Sequence, residues 1–418
     1  MQKTPLKITF ALALGSGLEY YDFVIFGLMI KYTSAIFYPQ SGLYSGIFQI
    51  LITFAAGYFV RPLGGLIFGL IADIYGRSKA FIAAMLLMAL STFSIGLLPT
   101  FEQCGVIAPI LLIICRMLQG ISFGAELPGA ITILSENAEV SKLGKLCSFI
   151  LSGTTIGSLM AMMIVTIISN KYSPQIINDY AWRLPFLLGG VLAIISFFIR
   201  KNIANNTDFF KDSNQQSMNL VFSELKRNFT YILIGSGIIF FMATLIITNL
   251  YFPVYISRNF THQLPQIFVA MTNSMIASII FMLFWGFVSD YISKIKQLIF
   301  AVIGFNLSLF PLYYLLQDGA FITLQLSFII YQFWIAVFVS SCLPIISQLF
   351  PSSIRYTGTA LIYNIAFCAA SLIPAYYEYL FATENAANLG YFFTGSGFIA
   401  LASVMYLMII RRIEISNA

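Results

Sequence analysis

Charged side chains lie inside apolar stretches of the first half of the chain, at Glu19, Asp22, Arg61, Arg116 and Glu126. A charge at the centre of a bilayer costs about 3 kcal/mol on insertion scales, so such residues face protein groups or water rather than lipid. Glu19 and Asp22 are three residues apart and share one helix face. A carboxyl group that gains or loses an arginine partner changes its affinity for protons. We therefore expect proton coupling at Asp22 first, then at Glu19 and Glu126, with Arg116 as the counter-ion.

The same arginines are candidates for binding a solute. Arg116, Gln119, Phe123 and Glu126 follow a 3-4-3 spacing that places them on one helix face. Because an arginine fork can hold a carboxylate through two hydrogen bonds, we expect Arg61, Arg116 and Gln119 to contact the solute. Arg61 can instead pair an acid of the first helix in the empty protein. The alternative is a fixed ion-pair network that only locks helices together, although buried pairs stabilise proteins poorly compared with apolar packing.

The apolar stretches of the second half carry neutral polar residues. Asn249, Gln332 and Asn364 are predicted to hydrogen-bond the solute, while the first half handles protons. A helix–helix contact is the alternative role for each of them. Tyr20 and Tyr21 flank the first acids, and their rings are candidates for holding a quaternary ammonium group, with core packing as the alternative.

A third group of charges lies at the ends of apolar stretches. Asp73, Arg77 and Lys79 surround Gly76, which permits a tight turn between two helices. Acid–base pairing there would hold the two halves closed toward the cytoplasm, and solvated loop charge is the alternative. A weaker counterpart in the second half is predicted from Asp290, Lys294 and Arg355.

Composition indicates that membrane helices position these residues. The chain is 59% hydrophobic and 9% charged, and its mean hydropathy is +0.88. A water-soluble chain of 418 residues cannot bury that much apolar surface in its cores. Since a membrane helix needs about 20 apolar residues, the chain has room for twelve spans with short connections. We predict spans at 8–36, 44–72, 80–98, 105–134, 145–169, 183–200, 229–256, 265–289, 297–316, 320–349, 356–377 and 389–410.

The distribution of basic residues predicts the topology. Sixteen of the 22 lysines and arginines fall in cytoplasmic segments if both termini are cytoplasmic, and only three fall in outer loops. The longest polar stretch, 201–228, separates the two sets of six spans. We therefore predict an all-α membrane protein with a six-helix bundle at 1–200, a cytoplasmic linker at 201–228 and a second six-helix bundle at 229–418.

The two halves repeat one another. GLIADIYGRSK at 69–79 follows the second predicted span, and GFVSDYISKIK at 286–296 follows the eighth. SENAEVSKLG and SQLFPSSIRYTG repeat at nearly the same offset after the fourth and tenth spans. Parallel six-helix repeats with a solute site at the middle of the membrane are a transporter architecture.

These markers resemble the major facilitator superfamily. Its loop pattern G-x-L-A-D-x-x-G-R-x-K/R is matched by Gly69, Ile71, Ala72, Asp73, Gly76, Arg77 and Lys79. The metabolite:proton symporter branch, which includes proline/betaine and 2-oxoglutarate carriers, is resembled by EYYDF at 19–23, RPLGG at 61–65, R-x-x-Q-G-x-x-x-G-x-E at 116–126, AWRLPF at 181–186 and FPSSIRYTG at 350–358. The second-half loop departs from the pattern, with Ser293 and Lys294 in place of Gly-Arg.

The resemblance implies a proton-coupled symporter that imports a small polar, carboxylate-bearing metabolite, either an organic acid or a zwitterion such as proline or betaine. The alternatives are a proton-driven exporter and a non-transporting membrane receptor. An exporter is disfavoured because Ser158 and Leu159 follow Gly153 and Gly157 where the antiporter signature has Pro-x-x-Gly-Gly. The implied partners are the solute, protons and the bilayer of a bacterial inner membrane, with the monomer as the functional unit.

Other classes are disfavoured by composition. The cysteines occur singly, His262 is the only histidine, and no metal-ligand spacing or nucleotide loop is present, so we expect neither an enzyme nor a cofactor other than the proton gradient. The basic residues form no cluster that would bind nucleic acid.

Overall fold

The structure is a computed structural model, and it describes residues 6–39, 45–206, 218–260, 262–382 and 389–416. Helices make up its regular structure, and no strand occurs in these ranges. The first half contains α1 (Leu6–Leu28), α2 (Ile30–Phe37), α3 (Ser45–Phe59), α4 (Arg61–Tyr75), α5 (Arg77–Leu97), α6 (Phe101–Cys104), α7 (Ile107–Asn137), α8 (Leu143–Lys171), α9 (Pro174–Ile176) and α10 (Arg183–Asn206). The remainder contains α11 (Met218–Arg227), α12 (Phe229–Asn259), α13 (Leu264–Tyr291), α14 (Lys294–Gln317), α15 (Phe321–Ile346), α16 (Arg355–Ala370), α17 (Ile373–Ala382) and α18 (Leu389–Ser416).

The helices confirm the predicted all-α membrane fold. Within the described ranges, nine helical segments are long and apolar enough to cross a membrane, and the bent pair Pro174–Ala181 and Arg183–Phe198 would make ten. Two further predicted spans coincide with α1 and with α5, whose apolar part is Ile82–Leu97. Each of the twelve predicted spans therefore falls on a helix or on two consecutive helices. Residues 207–217 of the predicted linker lie outside the described residues.

Three of the predicted spans consist of two helices. The first changes from α1 to α2 at Met29, and the second changes from α3 to α4 at Val60, two residues before Pro62. The eleventh changes from α16 to α17, and Pro374 is the second residue of α17. Proline lacks an N–H and its ring clashes with the preceding turn, which accounts for the interruptions at Pro62 and Pro374.

Close helix contacts are made through small residues. Gly17 of α1 lies against Gly153 and Gly157 of α8, and a Cβ atom added at any of the three would meet backbone of the facing helix. Between the halves, Gly286 of α13 lies against Ser148 of α8. Small residues let membrane helices approach closely enough for backbone packing. Gly76, with φ 103°, makes the turn from α4 to α5 in a conformation that glycine adopts at little cost.

Candidate functional site

A cavity of about 80 Å³ lies between the two halves and is called the central cavity here. Ligand sites typically measure about 300–1,000 Å³, so this cavity is smaller than a typical ligand site and has room for only a few water molecules. Tyr20 and Arg61 line it from the first half, and Asn249 and Gln332 line it from the second. These four of the predicted solute-binding residues are therefore brought together.

Arg61 is the charged residue that lines the central cavity in the described part of the chain. It is the first residue of α4, directly after the interruption at Val60, and its side chain is fully buried. The guanidinium carbon lies 4.4 Å from the ring centre of Phe123, 4.8 Å from that of Tyr58 and 5.1 Å from that of Phe367. Such faces attract a cation through the ring quadrupole.

The hydrogen-bonding capacity of Arg61 is only partly used. Its Nε and Nη2 atoms are buried, and neither donates to an acceptor among the residues that the structure describes. Leaving a buried donor without an acceptor costs about 1–3 kcal/mol. This edge of the guanidinium is therefore suited to an anionic ligand, since a carboxylate accepts two parallel hydrogen bonds from an arginine fork.

Arg116 belongs to a polar relay beside the central cavity rather than to its lining. Its Nη1 donates to Oε1 of Gln119 at 2.8 Å, and Nε2 of Gln119 donates to Oγ1 of Thr92 at 2.7 Å. The guanidinium carbon of Arg116 also lies 4.1 Å from the ring centre of Phe26. The relay joins α7 to α5 and is fully buried, so Arg116 and Gln119 are placed one layer away from the predicted solute site.

Asp22 is fully buried on α1. A Cβ atom added at Gly189 of α10 would meet Oδ1 of Asp22 and the methyl group of Thr92. The carboxyl group of Asp22 therefore lies against Gly189, on the side where Thr92 also packs. The hydroxyl group of Thr92 is a side-chain donor close to the Asp22 oxygens, although the contact lacks the geometry of an ordinary hydrogen bond. No ion pair within 4.0 Å joins Asp22 to Arg61 or Arg116 in the described ranges, so the expected Asp22–Arg116 pair is not formed in this conformation.

The other two predicted acids are buried as well. Glu19 and Glu126 are each 3% exposed. Glu126 follows Ala125, whose carbonyl oxygen accepts a hydrogen bond from the Tyr356 hydroxyl of the second half at 2.7 Å. Glu126 is thus located near the contact between the halves, and Glu19 is located on α1 with Asp22.

Of the two predicted tyrosines, only Tyr20 reaches the central cavity. The hydroxyl groups of Tyr20 and Tyr363 are 3.1 Å apart, and this contact connects the two halves. The Tyr21 hydroxyl donates to the carbonyl oxygen of Pro185 at 2.9 Å. Tyr21 therefore makes the packing contact that was the alternative to solute binding.

Asn364 likewise makes a helix–helix contact. Its Nδ2 donates to the carbonyl oxygen of Gly124 at 2.6 Å and to that of Ala360 at 2.8 Å. Pro128 inside α7 has no N–H, so the Gly124 carbonyl four residues earlier lacks its helical partner. The amide of Asn364 satisfies that carbonyl from the other half.

At the predicted cytoplasmic end, two carboxylates connect the halves. Oδ2 of Asp73, in α4, accepts from the backbone N–H of Thr357 at 3.2 Å and from its hydroxyl at 2.6 Å. Asp290, in α13, accepts from the backbone N–H of Gly144 at 2.8 Å and from that of Lys145 at 3.1 Å. Each carboxylate thus meets the first turn of a helix in the opposite half, where unpaired N–H groups and the helix dipole favour a negative charge.

The basic residues that were predicted to pair with these carboxylates are Arg77, Lys79, Lys294 and Arg355. Nη1 of Arg355 lies 3.9 Å from Oε1 of Glu136, which adds a contact between α16 and α7. Lys79 is exposed, and Lys294 is the first residue of α14. The side chain of Arg77 lies outside the described residues.

Glu378 was missed from the sequence because the eleventh span was expected to end at residue 377. α17 continues to Ala382, and Glu378 is 5% exposed within it. The Tyr251 hydroxyl of α12 donates to Oε1 of Glu378 at 2.7 Å. The neutral polar residues of the second half are therefore joined by a buried acid near the end of the eleventh span. A longer eleventh span would have included this acid.

Sequence comparisons give the chain its relatives. The sequence model described as Major Facilitator Superfamily matches residues 12–375. A Staphylococcus aureus protein, strain MSSA476, provisionally named a proline/betaine transporter, is 29% identical over 372 residues, which cover 87% of this chain and 79% of that protein. The proline/betaine transporter of Escherichia coli K12 is 26% identical over 400 residues, covering 92% of this chain and 79% of that protein.

Structural comparison gives the same fold. The xylose transporter XylE from Escherichia coli, in a partially occluded inward-open conformation, matches with a TM-score of 0.73 at 16% identity over 96% of both chains. A crystal structure of a D-xylose-proton symporter matches with a TM-score of 0.73 at 18% identity over 95% of this chain and 96% of that one. Together with the family match over most of the sequence, these findings mean that the chain belongs to the major facilitator superfamily and is a membrane transporter.

Proposed function

We propose that the chain is a proton-coupled symporter that imports a compact zwitterion with one carboxylate, such as proline or betaine, by alternating access. It would act as a monomer in a bacterial inner membrane. The observation that carries this proposal is Arg61, a buried cation on the central cavity whose Nε and Nη2 donors have no acceptor in the described structure. The names of the Staphylococcus aureus and Escherichia coli relatives support the same class of solute.

The charge of the cavity lining favours a single carboxylate. Arg61 is its one cation in the described part of the chain, because Arg116 lies outside the lining. A second carboxylate, as in 2-oxoglutarate, would be buried without a counter-ion, which is costly. The rest of the solute would face Tyr20, Tyr363 and Phe367, whose aromatic faces suit an ammonium group or a small apolar ring.

Coupling to protons is proposed to depend on Asp22. A buried carboxylate without a cationic partner is strongly disfavoured, and a bound proton removes the charge. Tyr20 and Phe23 of the same helix line the central cavity, on either side of Asp22 in sequence. A solute that moves α1 therefore changes the surroundings of Asp22, which links occupancy of the cavity to proton release.

Uptake into proteoliposomes tests the proposal. Labelled proline, betaine and 2-oxoglutarate are supplied with and without an inside-alkaline pH gradient. We expect the gradient to drive accumulation of proline or betaine and not of 2-oxoglutarate. Asp22→Asn should abolish gradient-driven accumulation while solute exchange continues, because a permanently neutral side chain cannot carry a proton.

A matched control is Glu102→Gln, which neutralises an acid of α6 outside the buried cluster. It should leave uptake unchanged. Accumulation that is independent of the gradient would contradict proton symport, and full gradient-driven uptake by Asp22→Asn would contradict the role of this acid.

A further inference from the structure

A second cavity, of about 370 Å³, lies between the outer ends of α12, α14, α15 and α18. We call it the lateral pocket, and it is lined by Ile256, Leu309, Phe310, Phe328, Tyr391 and Thr394 among others. It shares no lining residue with the central cavity. Its volume lies within the range of about 300–1,000 Å³ that is typical of ligand sites.

The lateral pocket opens toward the lipid-facing surface. α14 and α18 form its outer wall. These two helices are less buried than any other helix that qualifies as a span in the described ranges. Phe310 and Tyr391, which line the pocket, are 80% and 77% exposed. Large apolar side chains that project from a membrane helix face the acyl chains. The mouth of the pocket is therefore continuous with the protein–lipid boundary.

The floor of the pocket is aromatic and uncharged. The ring of Phe252 lies 5.7 Å from that of Phe328 and 4.9 Å from that of Tyr331, measured between centroids. The Tyr331 hydroxyl donates to the carbonyl oxygen of Leu245 at 2.7 Å, so its polar atom is already used. Among the described residues, none that lines the pocket is an acid, lysine or arginine. An apolar chain fits these surroundings, whereas a charged solute would find no counter-ion.

Two tyrosines lie at the outer edge of the pocket, while Asn306, Ser327 and Thr394 add polar groups farther along its helices. Tyr313 is four residues from the end of α14, and Tyr391 is two residues from the start of α18. Both helix ends are predicted to lie at the outer membrane surface. Tyrosines are enriched at the level of lipid headgroups, where the ring is in contact with hydrocarbon and the hydroxyl with polar groups.

We infer that the lateral pocket binds one acyl chain of an outer-leaflet phospholipid, whose ester groups lie near the hydroxyls of Tyr313 and Tyr391. The bound chain would lie against Phe252 and Ile256 of α12. The same helix carries Asn249 and Leu250, which line the central cavity. The lipid would thus support the outer end of a helix that forms part of the transport site.

Photolabelling in proteoliposomes tests this inference. Phosphatidylethanolamine with a diazirine in one acyl chain is included in the bilayer, and the adducts are mapped by peptide mass spectrometry after irradiation. We expect the adducts of the unmodified protein to concentrate on the peptides that contain Leu309, Phe310 and Tyr391. Thr394→Trp and Ser327→Phe each place a larger side chain in the pocket and should reduce these adducts by roughly tenfold, the factor for about 1.4 kcal/mol.

The matched control is Ile280→Trp, which adds the same ring at a 64% exposed position of α13, away from the lateral pocket. It should leave the pocket adducts unchanged. Equal labelling in both filled variants, adducts spread evenly over the lipid-facing helices, or cross-links to a second protein chain at the pocket would each overturn the inference. Two substitutions on different helices, α18 and α15, separate occupancy of the pocket from misfolding of one variant.

Discussion

Arg61 has a positive charge within aromatic rings and donors without acceptors in the described structure. Arg116 shares both features, but it does not line the central cavity. The rings stabilise the charge without using its N–H groups. In the proposed function, the buried guanidinium of Arg61 therefore keeps a fork of donors for the carboxylate of the solute. A lysine at the same position would keep the charge but not the two parallel donors.

We predict that Arg61→Gln weakens the apparent affinity for the solute roughly 10-fold to 100-fold. Hydrogen bonds to charged groups contribute about 1.5–3 kcal/mol, and about 1.4 kcal/mol is tenfold in affinity. The apparent affinity of Arg61→Lys should lie between that of Arg61→Gln and that of the unmodified protein. The measurement is the solute concentration that gives half-maximal exchange in proteoliposomes without a pH gradient, which separates binding from coupling. Unchanged half-saturation in Arg61→Gln would exclude direct contact between Arg61 and the carboxylate.

Tyr251 and Glu378 provide a second prediction at this scale. Tyr251→Phe removes the hydroxyl that donates to a 5% exposed carboxylate, and a hydrogen bond to a charged group contributes about 1.5–3 kcal/mol. We expect a lower apparent Tm for the purified protein. Tyr406→Phe, at a 51% exposed position of α18, is the matched control and should melt like the unmodified chain. Equal melting of both variants would mean that the hydrogen bond adds nothing measurable to stability.

The sequence predicted the role of a polar residue only where that role does not depend on a partner far away in the chain. Arg61 was recognised because an arginine in an apolar stretch is unusual wherever its side chain points. The sequence could not distinguish a structural role of Asn364 from solute binding. Its partner is the Gly124 carbonyl, which lacks a helical N–H because of Pro128, a residue 236 positions before Asn364. Such long-range pairs are decided by tertiary packing, and a single sequence does not contain them.

At the scale of helices, two carboxylates at the predicted cytoplasmic end bind helix starts in the opposite half. Asp73 binds the first turn of α16, and Asp290 binds the first turn of α8. The sequence predicted these acids from the repeated loops, but it paired them with neighbouring basic residues. Every residue except proline has a backbone N–H group, so the sequence does not indicate which of them binds a carboxylate. Because Asp290 binds backbone N–H groups of α8, its contact does not need the Gly-Arg of the loop pattern, which Ser293 and Lys294 replace in the second half.

We predict that Asp73→Asn and Asp290→Asn each shift the carrier toward the state open to the cytoplasm. A charge at a helix N-terminus contributes about 0.3–1 kcal/mol, up to about 2 kcal/mol when partly buried, so each shift is roughly 2-fold to 30-fold. The measurement is alkylation of a single cysteine at Gln332, in a chain without the five native cysteines, by a membrane-impermeant reagent in inside-out vesicles. Glu139→Gln, an exposed acid outside the contact, is the control and should not change the alkylation rate. An equal increase in the control would assign the effect to general surface charge.

Helix boundaries were predictable where polar breaks flank the spans, and internal interruptions were not. Pro62 and Pro374 mark two of the changes between helices, yet Pro128 and Pro253 lie inside continuous helices. Proline removes one hydrogen bond in every case, and neighbouring helices decide whether the freed carbonyl finds another donor. Asn364 supplies that donor at Pro128, which accounts for the continuity of α7 there.

For the whole molecule, the glycine contacts fall into two kinds. Gly153 of α8 lies against Ala13 and Gly17 of α1, within the first half. Gly286 of α13 lies against Ser148 and Gly144 of α8, between the halves. Alternating access requires the second contact to separate when the carrier opens to the cytoplasm, whereas the first can persist in every state. The two contacts should therefore respond differently to the same substitution.

Gly286→Leu is predicted to hold the halves apart at the cytoplasmic end without unfolding either one. A Cβ atom at this position would overlap with Ser148, so the closed contact between α8 and α13 cannot form, while each half keeps its own packing. We expect normal yield, loss of uptake and strong alkylation of the Gln332 cysteine reporter from the cytoplasmic side. Gly153→Leu should instead lower the yield of monodisperse protein, because it separates α1 from α8 in all states. Ile280→Leu, on the lipid-facing side of α13, is the matched control for Gly286 and should transport normally. Wild-type uptake by Gly286→Leu would show that the α8–α13 contact is not required to close, and it would remove the mechanical basis for alternating access at this end of the molecule.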